Sequence, residues 1–252
     1  MPIDPIKNRA RNQFNRAALT YDLSCSVQNT VCLQAIQVLL NHQKVFDNIA
    51  DFGCGTGEST NGLMKHLKCK RCYAVDFAEK LLTVARNKLS YIDKIEWIHC
   101  DFDQPIKISK PLDLIFCNMG LQWSSDVVKT LHLWQGYLKY QGLLLFSVPM
   151  AGNFPELKET IKPDFLTDRE MTDALESNGL NLIEKKFERI EVQFTNQFGS
   201  LKALKATGTN YNKTNTSPTQ GLKPLKPDHI FINSNVSQLT YEIGIYLVRN
   251  DL

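Results

Sequence analysis

The residues able to do chemistry fall in four short runs. The first is Asp51-Phe52-Gly53-Cys54-Gly55-Thr56-Gly57, which ends the apolar run Ile49–Phe52 and precedes a predicted helix from Glu58 to Leu67. Glycines at 53, 55 and 57 let the chain turn tightly and let a ligand rest on bare backbone. The helix that follows offers unpaired N–H groups. The spacing is G-x-G-x-G, not the G-x-G-x-x-G of dinucleotide sites. Glu58 also puts an anion at the helix start, which makes a pyrophosphate a poor guest. A zwitterionic amino-acid tail suits the loop better. Asp51 attracts its ammonium, and backbone amides between Gly53 and Gly57 take its carboxylate.

The second run is Asp76-Phe77, at the end of a predicted strand Cys72–Val75 and 23 residues beyond Gly53. An acid about 20 residues past such a loop accepts ribose hydroxyls. The plain alternative is a surface acid in a turn. The third is Cys100-Asp101-Phe102, after a predicted strand Ile95–His99. Asp101 can accept from an adenine amino group while Phe102 stacks on the base. Aspartate in a turn is commonplace, so this pair gains weight only as third in a series. The fourth is Asn118-Met119-Gly120-Leu121-Gln122-Trp123, after the apolar strand Leu112–Cys117. Asn118 and Met119 fall on the ligand side, and Gln122 and Trp123 on the substrate side. Trp123 reads equally well as core.

All four runs need one scaffold. Strands at 49–52, 72–75, 95–99, 112–117 and 143–148 alternate with helices at 58–67, 78–89 and 126–138. Such alternation indicates a parallel sheet covered on both faces, with its site beyond the strands' C-terminal ends. Ahead of it, residues 6–20 read as a helix, and Ser24 reads as the N-cap of a second helix running to about Leu40. Behind it, Thr167-Asp168-Arg169-Glu170 is a capping box, and Asn178-Gly179 stops its helix. Strands are predicted at 182–194 and 239–248, a short helix at 198–206, and a mobile loop at 207–228.

Composition excludes several classes. The chain has 252 residues, 43% hydrophobic and 22% charged, which rules out wholesale disorder. Mean hydropathy is −0.25, and no apolar run approaches the length of a membrane helix. The opening Met1-Pro2-Ile3-Asp4-Pro5 lacks the order of a secretory signal, and seven scattered cysteines suit a reducing compartment, so a cytoplasmic protein is expected. Cys69-Lys70-Arg71-Cys72 stands alone without a second ligand pair, so no metal site is predicted. Net charge is +3 and no dense basic, aromatic-interleaved patch exists, which counts against a nucleic-acid partner. Between Asn181 and Pro227, however, eight basic residues face three acidic ones. A solvated mixed face is one reading, and a docking surface for an acidic partner is the other.

The four runs, in this order, resemble the class I S-adenosylmethionine-dependent methyltransferases. Segments outside them narrow the likeness: Phe14-Asn15-Arg16-Ala17-Ala18 with Tyr21-Asp22 and Gln28, Asn118 through Trp123, Gly152-Asn153-Phe154-Pro155-Glu156-Leu157, Ser200-Leu201-Lys202 with Ala206-Thr207-Gly208, and Leu239-Thr240-Tyr241. These are similar to the malonyl-acyl carrier protein O-methyltransferases of biotin synthesis. The resemblance implies a Rossmann-like α/β fold, a mostly parallel seven-stranded sheet flanked by helices with a small helical and loop cap. It divides the chain into a closing segment 1–42, a cofactor domain 43–194 plus 239–252, and a cap 195–238. The implied cofactor is S-adenosyl-L-methionine, leaving as S-adenosyl-L-homocysteine. It would be held by Asp51, Gly53, Cys54, Gly55, Thr56, Gly57, Asp76, Phe77, Asp101, Phe102, Asn118 and Met119.

The implied reaction methylates the free carboxylate of malonyl-acyl carrier protein. That group is ionised at neutral pH and needs no general base, which accounts for the lack of a His–Asp or Cys–His arrangement. His99 and His132 are read as structural. Tyr21 and Gln122 are the candidates for closing and orienting the site, and Lys202 and Lys205 for docking the acidic carrier. A monomer, bound to neither nucleic acid nor membrane, is expected. Two alternatives stay open: a methyltransferase of another small acid such as an aconitate-like one, and a non-catalytic assembly protein that keeps the cofactor pocket.

Overall fold

A computed structural model describes residues 5–19, 21–159, 162–206, 230–233 and 237–252. Helix α1 (Pro5–Ala17), a 3-10 turn (Tyr21–Ser24) and α2 (Ser26–Leu40) lead into the alternating block. There β1 (Asn48–Phe52), α3 (Glu58–His66), β2 (Arg71–Asp76), α4 (Glu79–Lys88), β3 (Ile95–His99), β4 (Leu112–Asn118), α5 (Val127–Gln135) and β5 (Leu138–Pro149) follow in turn. The C-terminal part adds α6 (Asp168–Glu176), β6 (Leu180–Gln193), α7 (Gln197–Ala206) and β7 (Gln238–Asn250).

The seven strands form one sheet in the order β3-β2-β1-β4-β5-β7-β6. The first five are parallel, and β7 runs antiparallel to both β5 and β6. Unbroken apolar runs such as Leu114-Ile115-Phe116-Cys117 are buried on both sides because helices cover both faces. On one face Val31, Ala35 and Leu39 of α2 and Leu63 of α3 pack on Ile49, Leu114 and Phe116. On the other, Leu131 and Trp134 of α5 and Met171 and Leu175 of α6 pack on Phe52, Ile115 and Phe146. Strand order reverses between β1 and β4, which opens a crevice at their C-terminal ends.

Several sequence expectations change. Ser24 does not cap α2: it ends the 3-10 turn, and Cys25 stands at the N-cap position with no side-chain cap bond. The helix predicted over 126–138 stops at Gln135, and Leu138 already belongs to β5. β5 therefore starts five residues before the predicted Leu143. It carries a bulge in which Gln141 is left-handed (φ 63°) and Leu112 and Leu114 of β4 pair with Leu138 and Leu143. Asp126 caps α5 by accepting from the Lys129 N–H at 3.1 Å, and the Thr167–Glu170 capping box is fully formed. The predicted loop 207–228 lies outside the described residues.

Candidate functional site

A cavity opens at the crests of β1, β2, β3 and β4, between the strand ends and the N-terminal segment. Gly53 and Gly57 adopt φ of +76° and +86°, a region that side chains disfavour. A Cβ at Gly57 would also press on Ala85 of α4 at 3.0 Å, so glycine there lets α3 start close against α4. The loop spends its own amides internally. Gly53 and Cys54 donate to the Val75 carbonyl, Gly57 donates to that of Cys54, and Gly55 donates to Asp76 Oδ2 at 2.9 Å. The N–H groups of Thr56 and of the first turn of α3 are the ones left facing a ligand. Gly53, Cys54, Gly55 and Thr56 all line the cavity, and Gly57 does not.

Asp76 lines the cavity and is nearly inaccessible. Its Oδ1 accepts from the Ala78 N–H at 2.7 Å and its Oδ2 from Gly55, so each oxygen keeps capacity for one more donor. Burial pushes its carboxyl up to about 6, against the pull of the Ala78, Gly55 and Phe77 backbone N–H groups and of nearby His99. Asp51 sits behind the wall. Its Oδ2 accepts from Ser59 Oγ at 2.7 Å and Thr60 Oγ1 at 2.6 Å, while its Oδ1 is buried without a partner. Burial pushes this carboxyl up to about 6 as well, the two hydroxyls opposing the shift.

Phe77 and Phe102 line the cavity, but Asp101 does not. Its carboxylate is held by the Lys7 ammonium of α1 at 2.6 Å, which also binds Asp103 at 2.5 Å. The base-reading role expected for Asp101 therefore competes with an ion pair from a helix 94 residues away in sequence. Asn118 and Met119 line the cavity. Met119 is left-handed (φ 52°), a strained state for a side-chain-bearing residue and one typical of functional crests. Its N–H donates to both the carbonyl and the hydroxyl of Ser147, at 3.0 Å each.

The two orienting candidates part company. Tyr21 lines the cavity, and burial pushes its phenol well above the usual range, so it stays a neutral donor. Gln122 faces elsewhere. Its Nε2 donates to the Met119 carbonyl at 2.6 Å, and it lines a separate depression with Val148, Phe165 and Met171. The bond to Met119 turns the amide away from the cofactor-side cavity and leaves the residue lining that depression instead. Lys202 is exposed on α7, and α7 packs against β7 and the Tyr21–Ser24 turn. Of Lys205 only the backbone is described, and its side chain lies outside the described residues. Among the other cations of the basic stretch, Lys185, Lys186 and Arg189 are spent in ion pairs with Asp168, Glu188, and Glu191 and Glu242.

Sequence reasoning named Phe14, Asp22 and Gln28 only as part of the family likeness and gave no site role to Lys88 or Cys25; the structure brings them together to complete the site. Asp22 accepts from Thr56 Oγ1 at 2.5 Å, and Lys88 bridges Asp22 and Glu58, its ammonium held charged by both acids against partial burial. Phe14 packs edge-on to Tyr21, Phe77 and Trp123, with centroids 5.4–6.0 Å away. Trp123 accordingly lines the cavity as well as packing on its neighbours. Cys25 and Gln28 complete the wall, and burial pushes the Cys25 thiol up to about 12. Apart from the local packing of Phe14 on Tyr21, these contacts span 30 to 109 residues of chain, and no local spacing announces them. Three acids, Asp22, Glu58 and Asp76, line this cavity, and no lysine, arginine or histidine does so among the described residues.

Residues 49–142 match the family described as a methyltransferase domain. Over 252 residues the chain is 34% identical to a Coxiella burnetii protein named malonyl-[acyl-carrier protein] O-methyltransferase 2, covering 99% of this chain and 98% of the relative. A Methylovorus protein named malonyl-[acyl-carrier protein] O-methyltransferase is 27% identical, over 81% of this chain and 74% of its own. Among solved structures, a methyltransferase from Bacillus halodurans superposes with a TM-score of 0.64 at 15% identity, covering 87% of this chain and 99% of that one. An N-methyltransferase from Bradyrhizobium japonicum, solved with S-adenosyl-L-homocysteine, superposes at 0.52 with 16% identity, covering 88% of this chain and 86% of that one. Sheet order, crest loops and full-length likeness converge, and the chain belongs to the malonyl-[acyl-carrier protein] O-methyltransferase family of class I S-adenosylmethionine-dependent methyltransferases.

Proposed function

We propose that the protein transfers the methyl group of S-adenosyl-L-methionine to the free carboxylate of a malonyl group carried on acyl carrier protein. The observation that carries this reading is the cavity's charge. A wall bearing Asp22, Glu58 and Asp76, with no cationic side chain lining it among the described residues, suits a ligand that is itself a cation; Lys88, set behind Asp22 and Glu58, offsets part of their charge and leaves Asp76 as the acid with no lysine or arginine partner there. The Oδ1 of Asp51, buried behind that wall without a partner, adds negative charge on the same side.

When bound, S-adenosyl-L-methionine supplies a methyl group already activated on a sulfonium. The residues proposed to hold it are Asp51 and the loop Gly53–Gly57 for the amino-acid tail, Asp76 with Phe77 for the ribose, Asp101 with Phe102 for the base, and Asn118 and Met119 beside the reacting end. The chain's own work is to orient and to exclude water. Tyr21 closes the cavity over the reacting end, and the aromatic packing of Phe14 on Trp123 seals it. No proton need be moved, since the carboxylate is ionised at neutral pH.

In this reading residues 1–42 close the site, 43–194 with 239–252 bind the cofactor, and 195–238 form the cap. Lys202 and Lys205 of α7 meet the acidic carrier beside the Tyr21–Ser24 turn. The protein acts as a cytoplasmic monomer, without nucleic acid or membrane. Among the described residues no helix is long and apolar enough to cross a membrane.

The test is incubation with labelled S-adenosyl-L-methionine and malonyl carrier protein, followed by intact mass analysis. The carrier should gain one methyl group that mild base removes, as an ester requires. Charge reversal at Lys202 and Lys205 should weaken carrier use and leave cofactor affinity alone. Transfer to free diacids but not to the carrier would replace the acceptor. Cofactor binding with no turnover on any carboxylate would favour a binding protein instead.

A further inference from the structure

Gln28 lines the cavity from α2. The Oε1 of its side-chain amide is buried and has no hydrogen-bond partner among the described residues. A buried acceptor left so is costly until a donor reaches it or the amide turns to exchange its oxygen for its NH2. The residue is nevertheless fixed in place. Its backbone carbonyl accepts from Asn118 Nδ2 at 3.0 Å, and Asn118 Oδ1 in turn accepts from Ser147 Oγ at 2.8 Å. That chain of bonds ties α2 to the crests of β4 and β5, where the reacting end is proposed to lie. Half a turn of the amide presents its NH2 as donor at the same point.

We propose that Gln28 binds the carboxylate of the methyl acceptor through its side-chain amide, in a subsite of neutral donors that contains no side-chain cation. This rests on the carboxylate-methylating reading above. The physical case is one of balance. An acceptor carboxylate entering beside Asp76, with Asp22 and Glu58 only partly offset by Lys88, is repelled unless donors meet it. An arginine or lysine would meet it, but would hold the anion as an ion pair and blunt its attack. A neutral amide orients the carboxylate and leaves its charge for the reaction. Tyr21, whose phenol stays protonated, is the second neutral donor on this wall.

Two full-length variants test this, Gln28→Glu and Gln28→Ala, using malonyl carrier protein at saturating S-adenosyl-L-methionine. Gln28→Glu keeps the shape and adds a like charge. The KM for the carrier should rise about tenfold or more, with a smaller rise for Gln28→Ala. Calorimetric affinity for S-adenosyl-L-methionine should stay within about twofold in Gln28→Ala and should not fall in Gln28→Glu, whose added anion faces a cationic ligand. The methyl ester of the same carrier, whose acyl end is uncharged, should inhibit the variants and the parent equally. Wild-type KM in both variants overturns the assignment, as does a loss of cofactor affinity in place of the KM change. Absence of transfer to any carboxylate by the parent protein overturns this inference together with the reading beneath it.

Discussion

Asp51 and Asp76 are buried carboxyls that do different work at the same pH. Both are pushed up to about 6 by burial, and both are proposed to act as anions. Cofactor affinity should therefore hold above neutrality and fall as pH drops through about 6, by about tenfold one unit lower for each carboxyl that must be charged. Calorimetry between pH 5 and 8 reads this directly, and a flat profile would deny both groups their role. Folding without cofactor runs the opposite way. A carboxyl whose folded value lies above the usual 3.8 contributes stability at low pH that is lost as pH rises through about 6. At this scale the sequence was legible where a residue's partner is near in the chain. Asp76 and the glycine loop announce themselves by strand ends and spacing. The engagement of Asp101 by Lys7 and the turning of Gln122 toward Met119 depend on which neighbours the fold supplies.

Helix α1 is held by polar anchors at one end and by the following turn at the other. Lys7 is 4% exposed and binds two carboxylates, while Asp22, beyond the helix, ties to Thr56 and Lys88. Between these points Phe14 packs on Phe77 of the β2 crest. Lys7→Ala leaves Asp101 and Asp103 partly buried without their cation, a situation that costs about 3 kcal/mol or more when a buried pair loses one partner. Hydrogen exchange in α1 should quicken in this variant and cofactor dissociation should speed up, while exchange in β4 and β5 stays slow. Equal exchange across α1 in variant and parent would dismiss the anchor. From sequence, residues 6–20 read as a helix and a turn with no indication of what they cover, because the ion pairs join segments 94 and 96 residues apart. The boundaries of α5 and β5 were blurred for a related reason. Gly136 and the Gln141 bulge end and bend these elements within a stretch whose apolar pattern runs on unbroken.

Across the whole molecule, hydrophobic patterning found all seven strands. Apolar runs such as Leu143–Val148 cannot be satisfied except inside a covered sheet, so their existence was legible. Pairing order was not legible from pattern alone. Nothing in the alternation of β6 states that β7 lies between it and β5, since pairing is decided by the whole sheet. The cavity is likewise assembled from distant parts: an N-terminal wall from Phe14 to Asn29 set against four strand crests. That wall has a consequence for observing the protein at work. The chain has three tryptophans, and only Trp123 touches Phe14 of α1. Trp134 is fully buried beneath Phe52 and Phe102, and Trp97 lies on the edge strand β3. Opening of the N-terminal wall should thus redden the emission of one indole and leave the others dark to the event. Fluorescence of the unlabelled protein becomes a clock for ligand entry, and Trp123→Phe should stop it.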